Sequence, residues 1–92
     1  MPERISVEPV IDHEYFVRVV DAGDTAESQF VIDPDTLAEL GFAPGDEQRV
    51  VEHTALFLAE RQPVIDFPPL VYLDTVVAAY RDYPEELHHR LG

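Results

Sequence analysis

Lysine is absent from this 92-residue chain, and so is cysteine. All six basic residues are arginine, set against nineteen carboxylates, for a formal charge of −13 at pH 7. Polyanion binding rests on cations that neutralise phosphates, so six scattered arginines in this acidic field argue against DNA and RNA as partners. The same sign argument weighs against an anionic membrane surface. No apolar run approaches the ~20 residues that span a bilayer. The N-terminus, Met1-Pro2-Glu3-Arg4, lacks the apolar stretch of a secretory signal. Without cysteine there is no disulfide, no thiol nucleophile and no thiolate metal site. Only four glycines are present, with neither a Gly-x-Ser-x-Gly elbow nor a phosphate-cradling loop. These absences lead us to expect a cytoplasmic protein that is not an enzyme and uses no cofactor.

The missing lysine has an ordinary explanation in codon bias or adaptation to salt. A functional explanation is mimicry of nucleic acid at a basic site, and charge density weighs against it. A folded chain of 10.4 kDa exposes on the order of 5,400 Å². That leaves roughly one net charge per 400 Å², whereas duplex DNA carries roughly one per 100 Å². Mimicry therefore requires the carboxylates to crowd onto one face, and along the chain they are spread evenly.

What the chain does have is 46% apolar residues, enough for one core and one domain over residues 1–92. Tyr15-Phe16-Val17-Arg18-Val19-Val20 reads as a strand with Tyr15, Val17 and Val19 on one face and Phe16, Arg18 and Val20 on the other. Ile5, Val7 and either Val10 or Ile11 mark an earlier strand that Pro9 ends or places at an edge. After the polar turn Asp21–Thr25, Gln29-Phe30-Val31-Ile32 reads as a third strand. Short connections between three consecutive strands favour an antiparallel meander.

Helical signals follow. Asp33 is an N-cap, Pro34 suits the first helical position, and Ile32 and Leu37 are spaced as a hydrophobic staple. Gly41 closes this helix. The longest helix runs from Glu47 to Arg61 and stops before Pro63. Val50, Val51, Thr54, Phe57 and Leu58 share its inner face; Arg49, Glu52, His53 and Glu60 share the other. Leu56 sits among those polar residues, so Leu56, His53 and Glu60 form a candidate interface with a second chain or with the C-terminal segment. Residues 63–73 are expected to be an irregular, ordered crossing. A further helix is expected from Thr75 to about Asp82, capped by Asp74, with Pro84 opening a final turn. Phe57, Tyr72, Tyr80 and Tyr83 fit core or core-rim positions. The expected fold class is α+β, a small antiparallel sheet of about three strands against three or four helices.

Metal ligation on a helix uses His or carboxylate at i and i+3 or i+4. Glu85, His88 and His89 satisfy that spacing and are the metal-site candidates, although histidines near a helix C-terminus also suit the dipole. His13 lies in a turn with no completing residue nearby in sequence.

The segment Phe57-Leu58-Ala59-Glu60-Arg61-Gln62-Pro63, followed by Asp74, Val77, Tyr80 and Pro84, resembles a group of short uncharacterised bacterial proteins. In that group a helix ends in a Phe-Leu-Leu-Glu-Arg-Glu-Pro-like segment and precedes a terminal helix. The likeness covers roughly the second half of the chain, departs at Ala59 and Gln62 and in a longer Val64–Tyr72 insert, and implies an α+β fold without assigning a site. The expected role is a protein-binding or regulatory module, its partner another protein or a second copy in a homodimer. An acidic inhibitor at a basic site is the alternative, and a small enzyme or metal binder using the C-terminal Glu/His cluster is a third.

Overall fold

The computed structural model describes residues 3–91. Strands β1 (Arg4–Ile11), β2 (Glu14–Asp21) and β3 (Asp24–Val31) form the expected antiparallel meander. Helix α1 (Pro34–Glu39) and a 3₁₀ turn (Pro44–Asp46) lead into helix α2 (Glu47–Arg61). A second 3₁₀ turn (Val64–Asp66) precedes β4 (Leu70–Tyr72), α3 (Leu73–Ala79) and α4 (Tyr83–Leu91).

The fold is α+β, and the sheet departs from expectation. It has four strands in the order β1-β2-β3-β4, and β4 pairs with β3 in parallel, so the sheet is mixed. The crossing expected to be irregular supplies that strand. Two prolines, Pro68 and Pro69, stop any longer run. The short stretch after them then places Val71 against Phe30, with Gln29 donating its backbone N–H to Pro69 O at 2.9 Å. The third helix also starts earlier than expected, at Leu73 with Tyr72 as its N-cap. Asp74 falls in the first turn, where its carboxylate accepts from Thr75 N–H.

The β2–β3 hairpin turns on Ala22 and Gly23, both at positive φ (53° and 85°), between the paired Asp21 and Asp24. Two left-handed residues match the twist of adjoining strands, which is the requirement of a type I′ turn. Pro9 lies within β1 at the sheet edge, where its missing N–H is tolerated. One extra residue, Val10, sits between the paired positions Pro9 and Ile11 as a bulge.

Helix α1 follows its sequence signals closely. Asp33 accepts from Asp35 N–H at 2.9 Å, and Ile32 and Leu37 are both buried. At the other end Phe42 N–H donates to Leu37 O and Gly41 N–H to Ala38 O. That is a Schellman pattern, with Gly41 at φ 90° in the left-handed position.

Alternation along the sheet sets the layering. Tyr15, Val17, Val19, Ala26, Phe30 and Val71 are buried against Val50, Val51, Ala55, Phe57 and Leu58 of α2. Intervening residues on the strands stay exposed or half-exposed, so the helices cover one face and leave the other open. Each fully buried Val, Leu or Phe contributes ~1.5–3 kcal/mol. A surface ion pair contributes ~0–1 kcal/mol, so this layer outweighs the arginine pairs around it. Helix α4 joins the core through Leu87 and the fully buried Tyr83. Thr54 Oγ1 spends its proton on Val50 O at 2.6 Å, so Tyr83 donates its hydroxyl to Thr54 Oγ1 at 2.5 Å. Burial pushes the Tyr83 phenol up to about 12.

Candidate functional site

The open face of the sheet is not uniformly polar. Cross-strand register places Ile11 beside Glu14, Glu14 beside Val31 and Val31 beside Tyr72. The next rung runs Glu8, Phe16, Gln29, Leu70. Ile11 of β1 (61% exposed), Phe16 of β2 (37%) and Leu70 and Tyr72 of β4 (42% and 45%) therefore share one end of this face, with Glu14, Gln29 and Val31 between them. Glu14 and Gln29 bond to each other in the middle of this patch, and Glu8 lies at its margin. The opposite end of the same face is different in chemistry. Arg4, Ser6, Arg18 and Val20 line a shallow hollow there, with Arg18 3.9 Å from Glu27. Glu8 and Glu14 stand on the apolar end, and Arg18 stands one rung from Phe16 on the same face of β2.

A groove of about 380 Å³ adjoins the patch where β4 meets α3. Leu58, Val71 and Val76, all buried, form its floor. Tyr72 and Tyr80 stand at its rim, and Asp66 is the charged residue that lines it.

A third feature joins the β1–β2 turn to the start of α2. Glu47 is 6% exposed, and both its oxygens are engaged. Tyr15 donates to Oε1 at 2.8 Å, and His13 Nδ1 lies 2.9 Å from Oε2. The hydrogen bond to Glu47 raises the His13 pKa above 6.5, with the nearby charges of Asp12 and Asp33 adding to it. Burial first, and the Glu47 bond second, push Tyr15 up to about 12. Both oxygens of Glu47 are taken up by contacts between the turn and the helix. The cluster therefore fastens the hairpin to the helix.

His88 is drawn away from the other metal candidates. His88 directs Nε2 to the Leu40 carbonyl, which can only accept, so that nitrogen carries a proton and offers no lone pair to a metal. Its ring stacks on Phe42 with centroids 4.6 Å apart. Glu86 lies 3.4 Å from Arg90. Glu85 and His89 share a shallow surface hollow with Asp82 and Glu86. Among the described residues no three His, Asp or Glu side chains come together as metal ligands.

The α2 candidates are partly taken up within the chain. Glu60 pairs with Arg90 of α4, and Leu56 and His53 are half-buried. His53 Nδ1 is buried without a hydrogen-bond partner among the described residues. Tyr72, expected at the core rim, projects onto the open face instead. Sequence reasoning assigned no binding role to Ile11, Phe16, Leu70 or Tyr72. A signal existed in β2, where both alternating faces carry large apolar residues, one more than a single core needs.

Compared with protein-family models, with curated proteins and with solved structures, the chain matches none. Among the described residues no helix is long and apolar enough to cross a membrane.

Proposed function

We propose that this is a binding module that docks another protein on the apolar end of its open sheet face. The observation that carries the reading is the exposure of Ile11, Phe16, Leu70 and Tyr72 together, on a face the helices leave bare. Aromatic side chains of this kind anchor interfaces, and one well-seated anchor is worth ~2 kcal/mol or more. The carboxylates Glu8 and Glu14 on the patch suit a partner with basic residues around an apolar centre. A net charge of −13 opposes pairing with a second copy, so we favour a different protein over a homodimer. A cytoplasmic site of action agrees with the lack of cysteine and with the acidic charge. The likeness of residues 57–63 to short bacterial proteins adds no site to this reading. The acidic-inhibitor alternative has less support, because Arg4 and Arg18 interrupt the acids of the open face.

Phe16→Asp tests the reading. Phe16 is on the open face and outside the core, so the variant is expected to keep its melting temperature within a few degrees. Proteins retained from a native lysate by immobilised wild-type protein should be lost about tenfold or more on the variant, and should weaken between low and high salt. An identical set retained by both proteins would remove the open face from consideration.

A further inference from the structure

The two edges of the sheet are built differently. β1 is guarded by Pro9, by the bulge at Val10 and by charges at Arg4 and Glu8, the devices that keep an edge from pairing with another chain. β4 carries no charge, proline or bulge within Leu70–Tyr72, and its protection is its brevity, three residues behind Pro68 and Pro69. Because Gln29 donates to Pro69 O, that carbonyl faces β3, and strand alternation turns the N–H and C=O of Leu70 to the free edge. The apolar groove runs beside this edge, and three residues of strand give an anchor of only two or three hydrogen bonds. An added strand held so briefly needs side-chain sockets as well, and the groove supplies them. Its volume lies at the small end of the ~300–1,000 Å³ typical of ligand clefts. The charge that lines it is Asp66, with Asp74 in the first turn of α3.

We propose that an extended segment of a basic partner, alternating apolar and cationic residues, docks as a fifth strand on the free edge of β4. Every second side chain then enters the groove between β4 and α3, and backbone bonds form at Leu70. This rests on the protein-binding reading and names the partner's docking segment. Main-chain pairing supplies part of the affinity and alternate pockets supply the selectivity, as in other cases of strand addition. A cation on the partner meets Asp66, and no arginine lines the groove to oppose it.

The experiment is an NMR titration of the 92-residue protein with an octapeptide alternating leucine and lysine. A block peptide of the same composition, all leucines then all lysines, controls for charge alone. Expected are saturable amide shifts over Leu70–Tyr72 and Thr75–Tyr80, slowed exchange of the Leu70 amide, and binding about tenfold tighter than the block peptide. Ala79 is exposed on the last turn of α3 and lines the groove. Ala79→Arg should weaken the alternating peptide about tenfold while leaving the β1–β3 amides in place. Equal binding of both peptides, no saturable shift, or a doubled mass with shifts at the β4 edge in the absence of peptide would overturn the proposal. Shifts confined to Phe16 and Val31 would overturn strand addition and leave the open-face reading intact. If Phe16→Asp changes no capture while the peptide still protects Leu70, the open face fails and the edge stands.

Discussion

At the scale of single residues, the most consequential contact joins positions 13 and 47. His13 adopts φ 64°, a left-handed conformation that costs a non-glycine residue about 1 kcal/mol, and it does so beside the Glu47 carboxylate. Its folded pKa lies above the 6.5 of the unfolded chain, chiefly because of that hydrogen bond. A raised pKa means the native state holds the proton more tightly. The contribution is therefore complete below pH 6.5 and is lost as pH rises through the higher folded value. Urea midpoints measured from pH 5 to pH 9 should fall across that window in the wild type. His13→Gln should flatten the part of the fall that this histidine causes, and an unchanged profile would remove the role of His13. This contact was invisible in the sequence for a plain reason. Thirty-four positions separate the partners, and neither belongs to a local motif.

Elements differ in how much of them the sequence declares. Helix α2 was legible in the sequence, because an apolar face repeats at helical spacing over fifteen positions and Pro63 follows its end. The α1 caps were legible because Asp33, Pro34 and Gly41 each have one local job. β4 was not, since three residues give too little alternation to recognise, and its partner strand lies about forty positions earlier. The open face was half legible: the alternation of β2 put Phe16 opposite Tyr15, yet only the register with β3 and β4 gathers the patch. The junction of α1 with α4 yields a prediction at this scale. A Cβ on Gly41 would approach His88 Cε1 to 3.3 Å, at φ 90°. Gly41→Ala should cost about 1–2 kcal/mol from backbone strain and the displaced His88 ring. A chemical-denaturation midpoint equal to wild type would contradict that account.

For the whole molecule, charge is the governing quantity. Thirteen net negative charges over 5489 Å² leave about 420 Å² per charge, and their mutual repulsion opposes the compact state. Raising NaCl from ~0.01 to ~0.15 M shortens the screening length from ~30 to ~8 Å. Surface pairs such as Arg61 with Asp82 and Arg90 with Glu60 weaken in salt, but each is worth only ~0–1 kcal/mol. Relief of the long-range repulsion should win, so the melting temperature should rise over this range. A fall would mean that the arginine pairs dominate.

The parallel seam between residues 29–31 and 70–72 also orders events in time. A ribosome delivers the meander first, and one flank of β3 waits unclaimed until the stretch beyond Pro69 has emerged. Closing so long a loop is slow compared with zipping a hairpin. The last-formed seam is then the one that newly made protein must protect, and the stretch that completes it also brings the edge that a guest strand would meet.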